Sequence, residues 1–205
     1  MNLKDEASSI KNKNVIDMAI TFSAMNRVFA AGSKEKIAGR LEYSFGLLAG
    51  GVGKNDFEII HSEFCEWFVK NISTSKKVLK NPEIKTSRAA SYGQAAKVFD
   101  VALKIYVYYC NLPDFESATN LLPMLHAAVD TLMMRKLKED YPNEKIKAQT
   151  IKGVSKSEYI ALQKLVGKNI EEKFNNELVT VQYDDIVWYW LNRLTQQQPP
   201  PSVQV

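Results

Sequence analysis

The stretch "GQAAKVFDVALKIYVYYCNL", residues 93–112, decides the fold. Apolar residues recur three and four apart along it, so its spacing predicts a helix that is apolar around most of its circumference. Such a helix is stable only when other elements surround it, which makes it the centre of a helical protein. Its polar break is one stripe, Lys97, Asp100 and Lys104, at i, i+3 and i+7. A charged stripe on a central helix must face water, pair with another element or line a cavity, because unpaired buried charge is costly.

Working outward, the flanking segments carry the same period and are broken by capping residues. "NVIDMAITFSAMNRVFAAG" (14–32) reads as a helix stopped by Gly32, and "SKEKIAGRLEYSFGLLAGG" (33–51) as a second with Ser33 as N-cap and Gly50/Gly51 as stop. "NDFEIIHSEFCEWFVKNI" (55–72) is a third. Residues 73–91 lose the apolar period and gather Lys76, Lys77, Lys80, Lys85 and Arg88 around Pro82, which reads as an exposed basic connection. After the central helix, Asp114 can cap a short helix, and Pro123 can occupy the first turn of the helix that carries His126. Ser155 and Glu158 have the spacing of a capping box for a helix running to about Asn176. "LVTVQY" (178–183) alternates like a strand, and "DDIVWYWLNRLT" closes the chain as a helix. The sum is an all-α fold: one compact helical bundle of about seven or eight helices over residues 1–195, with a disordered Gln/Pro-rich tail at 196–205.

The chain has 205 residues, 45% hydrophobic and 24% charged, enough to bury a core unaided. Lys and Arg number 27 against 23 Asp and Glu, a net +4 too mild to demand nucleic acid. Cys65 and Cys110 lie in helical patterns beside aromatic residues without metal-ligand or redox spacing, as expected of buried free thiols in a reducing compartment. The polar start lacks the apolar core of a signal peptide, and no run of about 18 apolar residues occurs, so the cytoplasm is the expected address and no membrane is expected as a partner.

Several stretches invite a chemical reading. In "LLPMLHAAVDTLMMRKL" (121–137), His126 and Asp130 stand four apart, so on a helix they share a face and the carboxylate can orient the imidazole. The bland alternative is a half-buried His bonded to its own helix. If the stripe of Lys97, Asp100 and Lys104 faces them, Lys97, Asp100, His126 and Asp130 form a polar cleft and are the candidate catalytic residues. His61 is the other histidine, on another helix and without HxxxH or HExxH spacing, so no metal ligand set and no cofactor is expected. "GGVGKND" (50–56) places Gly53 and Lys54 as in a phosphate-binding loop, but Leu48 stands where the first Gly belongs and Asn55 where Ser or Thr would hold magnesium. We read it as a helix end followed by the next N-cap.

The run "SYGQAAKVFDVALKIYVYYC" followed by the His126 stretch resembles bacterial and phage-related helical proteins that carry a G-x-A-x-K helix and then an H-x-x-x-D helix. Gly93, Ala95, Lys97, His126 and Asp130 match that pattern, while Ala128 stands where members often have Pro. The resemblance covers under a third of the chain and implies a helical fold with no assigned activity. Small helical ribonucleases of the HEPN type carry R-x(4 to 6)-H on one helix, and no Arg stands at the matching positions before His126 or His61.

Three functions are consistent with these residues. The favoured one is an intracellular helical binding or interaction protein. The second is a small hydrolase-type enzyme with a polar cleft around His126, Asp130 and Lys97. The third is a nucleic-acid-associated protein in which Lys76, Lys77, Lys80, Lys85 and Arg88 contact phosphate. The C-terminal run Trp188, Tyr189, Trp190, Leu191 is apolar on more than one face, and two arrangements satisfy it: clasping into the core, which we expect, or burial against a protein partner, a homodimer included.

Overall fold

A computed structural model of the chain describes residues 2–23, 28–78 and 81–197. Eight α-helices and one β-hairpin make up these residues, in the order α1 (Leu3–Phe22), α2 (Ser33–Leu48), α3 (Lys54–Asn71), β1 (Ser73–Val78), β2 (Asn81–Ala89), α4 (Tyr92–Leu103), α5 (Phe115–Leu121), α6 (Thr131–Asp140), α7 (Lys156–Phe174) and α8 (Thr180–Gln197). The all-α expectation holds. No helix among the described residues is long and apolar enough to cross a membrane.

Helix α4 is central, packed by α1, α3 and α7. It starts at a capping box: Ser91 Oγ accepts from the Gln94 amide at 3.1 Å, and Gln94 Oε1 accepts from the Ser91 amide at 3.0 Å. Every residue from Gly93 to Leu103 except Lys97 is buried. The helix then passes into a π-helical segment, Lys104–Tyr109. A π turn holds more residues than an α turn and so rotates the side chains that follow. Within this segment Ile105, Tyr106 and Val107 are buried while Tyr109 is exposed, its hydroxyl donating to Asp185 at 2.5 Å.

Aromatic rings knit α4 to its neighbours. Phe99 stacks on Phe64 of α3 with centroids 4.2 Å apart, and Phe45 of α2 stacks on Tyr106 at 4.1 Å. At the start of α4 the backbone itself comes close: the Gly93 amide donates to the Val154 carbonyl at 3.0 Å. A Cβ built on Gly93 would lie 2.6 Å from Val154 Cβ and 2.7 Å from the Ile151 carbonyl oxygen. Glycine is required here by space rather than by φ.

Several expectations need correcting. The stretch 73–91 is not an irregular loop but an antiparallel hairpin, with Ser73 opposite Ala89 and Lys76 opposite Thr86, extended by a bridge between Phe29 and Thr74. Its composition is that of a loop, but pairing the two halves satisfies backbone groups that a long bare loop would leave to water. Of the five basic residues proposed there for nucleic acid, Arg88 is exposed. Lys80 lies outside the described residues, as do the side chains of Lys76, Lys77 and Lys85. Helix α1 begins at Leu3 rather than near Asn14, and Gly32, in the left-handed region with φ +77°, precedes α2 where Ser33 was the expected cap.

"LVTVQY" is no strand. Thr180 opens α8, with Gln182 Oε1 accepting from the Val179 amide at 3.1 Å. An isolated strand with no neighbour leaves a row of donors and acceptors unpaired, whereas the helix satisfies them internally. Helix α8 continues to Gln197, two residues into the expected tail, and residues 198–205 lie outside the described residues. Its aromatic run is not clasped on all sides: Tyr183 and Val187 are buried, but Trp188, Tyr189 and Trp190 are 51%, 48% and 51% exposed.

The close approach at Gly93 generates a test. Gly93→Ala forces Val154 and the Ile151 carbonyl to move, and overpacking of this kind costs about 1–3 kcal/mol. Urea unfolding monitored by circular dichroism should show a midpoint lowered to match.

Candidate active site

Helix α3 buries Phe57, Ile60, His61, Phe64, Cys65 and Phe68, the i, i+3/i+4, i+7 series of an amphipathic helix. His61 therefore occupies a core position of α3. It points at Asp100 of α4, whose side chain is 0% exposed, and its Nε2 donates to Asp100 Oδ1 at 2.8 Å. From α7, Tyr159 reaches the same carboxylate, donating to Asp100 Oδ2 at 2.9 Å, and its hydroxyl lies 3.1 Å from His61 Nε2. The His61 and Tyr159 rings stack with 13° between their planes. Three helices thus converge on one buried carboxylate.

His126 completes the cluster from outside. Its Nδ1 is 2.9 Å from the Tyr159 hydroxyl, and its Nε2–H donates to Glu58 Oε1 of α3 at 3.0 Å. The side chains of Asp100, His61 and His126 are 0%, 2% and 15% exposed, so the chain of contacts runs from the core to a solvent-facing ring. That ring lies on the wall of a cleft of about 590 Å³. Lys54, Glu58, Lys156 and Lys164 bring charge to the cleft, and Tyr92, Met124, Leu125 and Ile160 bring apolar surface. Lys156 is tied to Glu66 at 2.8 Å and to the Ser62 hydroxyl at 2.7 Å.

Hydrogen counting shows what this cluster can do. Asp100 accepts from His61, and Glu58 accepts from His126 Nε2. If the Tyr159 hydroxyl donates to Asp100, its oxygen accepts from His126 Nδ1–H, and His126 carries two hydrogens. If the hydroxyl turns to His126 Nδ1, the imidazole needs only one. The two patterns differ by one proton on His126 and by one rotation of an O–H. Burial pushes the Tyr159 hydroxyl well above its ordinary pKa, with Asp100 adding to the effect, so the phenol keeps its hydrogen. The hydrogen bond from His126 holds the Glu58 carboxyl below the usual range against the opposing effect of burial. Burial likewise pushes the Cys65 thiol up, which leaves it a thiol 3.8 Å from His61 Nδ1.

His126 and Asp130 do not form the expected helical pair. The stretch 121–137 is not one helix: α5 ends at Leu121, a single 3-10 turn covers Leu122–Met124, and residues 125–130 run without helix until α6 begins at Thr131. Pro123 denies the continuing helix an amide donor, and Asp130 serves as N-cap of α6, its Oδ1 accepting from the Leu132 and Met133 amides at 2.8 and 2.9 Å. The segment bearing His126 is held instead by side chains. Gln163 of α7 accepts from the Ala127 amide at 3.1 Å and donates to the Ala127 carbonyl at 2.8 Å, and the Thr180 hydroxyl donates to the Leu125 carbonyl.

The stripe on α4 divides between two sites. Asp100 joins His126 through Tyr159, while Lys97 and Asp130 line a second cavity of about 240 Å³ with Lys104, Asp184 and Asp185. There Lys104 donates to Asp184 at 2.5 Å and to Asp185 at 3.0 Å. Burial pulls the Lys104 ammonium down, but the two aspartates outweigh it and its pKa ends above the ordinary value. His61, Tyr159 and Glu58 were not among the candidates read from sequence. One signal for His61 was available, its place in the apolar stripe of α3. One ligand-capable atom each from His61, Asp100 and His126 lies within 4.8 Å of the others, a set invisible to spacing rules because its members are 39 and 26 residues apart.

The second cavity generates a pH prediction. Burial raises the Asp184 carboxyl from 3.8 to about 6, opposed by Lys104 and by the Ala128 amide, with Asp185 adding to the rise. The folded state therefore holds this proton more tightly than the unfolded one. Its stabilising contribution is complete below 3.8 and is lost as pH rises through about 6. Relative to wild type, Asp184→Asn should gain up to about 3 kcal/mol of unfolding free energy across that window, read by denaturant titration at a series of pH values. Comparison of the chain with family models, with curated proteins and with solved structures finds no match.

Proposed function

We propose that the chain is a small enzyme that uses His126 as a general acid or base, with Tyr159, His61 and Asp100 behind it, on an anionic molecule bound in the cleft. One observation carries this reading: a hydrogen-bonded series of titratable side chains leads from a fully buried carboxylate to an imidazole on a cleft wall. A histidine held only for packing does not need a second proton-bearing partner chain beneath it. Titratable groups with opposed environments in a cleft are the pattern that acid–base catalysis requires. Lys54 and Lys164 on the cleft favour an anionic group, and Tyr92 and Ile160 favour an apolar or aromatic body beside it. A hydrolytic reaction suits the set: with Nδ1–H held by the Tyr159 oxygen and that hydroxyl donating to Asp100, an unprotonated Nε2 released from Glu58 takes a proton from water in the cleft.

The test is hydrolysis of p-nitrophenyl phosphate, bis(p-nitrophenyl) phosphate and p-nitrophenyl carboxylic esters, with and without added divalent metal. Wild type should exceed the buffer rate on at least one, and His126→Ala should lower that rate by about 10²–10⁴ while the melting temperature stays close to wild type. Equal rates for wild type, variant and buffer sink the proposal.

A second reading rests on α8. Trp188, Tyr189 and Trp190 leave a half-exposed aromatic face that suits a partner protein or a second copy of the chain. Sedimentation velocity of wild type against Trp188→Ser/Trp190→Ser should show the wild type alone associating. A monomer in both removes the second-copy form of this reading.

A further inference from the structure

Resting on the reading of the cleft as the functional site, we propose that His61, Asp100 and His126 bind a divalent first-row transition-metal ion, of which zinc is the natural probe. The donor atoms are His61 Nε2, Asp100 Oδ1 and His126 Nδ1, presented by α3, α4 and the non-helical segment before α6.

The three donor atoms lie close enough together to share one ion after small side-chain adjustments. His61 Nε2 and Asp100 Oδ1 are 2.8 Å apart, and the Tyr159 hydroxyl stands 3.1, 3.2 and 2.9 Å from His61 Nε2, Asp100 Oδ1 and His126 Nδ1. The three ligand-capable atoms all fall within 4.8 Å of one another. Ligands about 2.0–2.1 Å from a tetrahedral ion are about 3.4 Å from each other. His61 Nε2 and Asp100 Oδ1 have to separate from 2.8 Å to that spacing, and no pair has to close from more than 4.8 Å. His126 sits on a non-helical segment, residues 125–130, so it can adjust without moving a helix.

The atoms that orient the ligands are already in place. A metal-bound imidazole characteristically donates its other N–H to a carboxylate, which fixes the tautomer. For His126 that partner is Glu58 Oε1, at 3.0 Å from Nε2. Asp100 keeps its second oxygen for the Tyr159 hydroxyl at 2.9 Å. Coordination through His61 Nε2 moves the ring hydrogen to Nδ1, where Cys65 Sγ lies 3.8 Å away. That tautomer change releases no proton, so the only proton set free is the second hydrogen of His126, when it carries one. An ion here also offsets the charge of the buried Asp100 carboxylate, which otherwise depends on hydrogen bonds alone.

Two imidazoles and one carboxylate choose the class of ion. Imidazole suits zinc, iron and nickel, whereas magnesium and calcium require mostly oxygen ligands, of which this set supplies one. The set supplies three protein ligands, and the Tyr159 hydroxyl, 2.9–3.2 Å from all three donor atoms, is the group nearest the fourth position.

The experiment uses the full chain, dialysed against chelator and then titrated with zinc by calorimetry, with cobalt(II) substitution followed by visible absorption. Wild type should bind one ion per chain in the micromolar range or tighter and develop the d–d bands of a low-symmetry cobalt site. His126→Ala should lose the bands and weaken zinc binding more than Glu58→Gln, for which the expected loss is about 10–100-fold. His126→Ala removes a part-exposed ring, so it also serves as the variant that stays folded should Asp100→Asn fail to. Absence of binding by wild type, or binding unchanged by both His126→Ala and Glu58→Gln, overturns the inference. The ester assays separate it from the proposed function. Zinc bound through these residues with no hydrolysis in loaded or stripped protein keeps the site and removes the enzyme. Absence of zinc binding with a His126-dependent rate in stripped protein does the reverse.

Discussion

The Asp100 carboxylate, removed from solvent in the middle of the most apolar helix, is the constraint on which the arrangement depends. A carboxylate in that position is tolerable only if hydrogen-bond donors reach it from elsewhere in the fold. They come from two other helices: the imidazole of His61 on α3 and the phenol of Tyr159 on α7. The hydrophobic effect draws α3, α4 and α7 together but does not choose their rotation about their own axes. The carboxylate constrains it, because His61 and Tyr159 must each turn a polar atom to within 3 Å of it. The stacked faces of Phe64 and Phe99 beside the cluster exclude water from it and strengthen each of those bonds.

The second determinant is a short length of non-helical backbone. Residues 125–130 carry no helical hydrogen bonds, so their polar groups must be met by side chains, and Gln163, Thr180 and the Asp130 cap supply them. The outcome is an imidazole held at the mouth of the cleft from both sides by elements that pack independently of it. The Ala128 amide bonds to Asp184 in the second cavity, so the same six residues also join the Lys104 cluster to the His126 cluster. The two parts of the stripe, Asp100 turned toward α3 and α7 and Lys97 with Lys104 lining the cavity beside α8, are bridged by this segment.

Much of the fold was legible in the sequence because it depends on local physics. The apolar period of 93–112 marked α4 as the central helix, and Ser155 with Glu158 marked the start of α7, since a capping box is made from residues three apart. Where neighbours outvoted local preference, the reading failed. The stretch 73–91 has the composition of a loop and becomes a hairpin because each half pairs with the other. "LVTVQY" alternates like a strand and turns helical from Thr180 on, with no strand beside it among the described residues.

The sequence by itself determined that the chain is helical, that α4 is its core and that Asp100 and His126 are chemically notable. Only the tertiary structure decided which residues they meet. His126 lost Asp130 to a helix cap and gained Tyr159, Glu58 and His61, from segments distant in the chain. Helix periodicity reports which residues share a face of one element. It carries no information on the rotation and depth at which two elements meet, and that choice is made by filling the core and satisfying its buried polar atoms together.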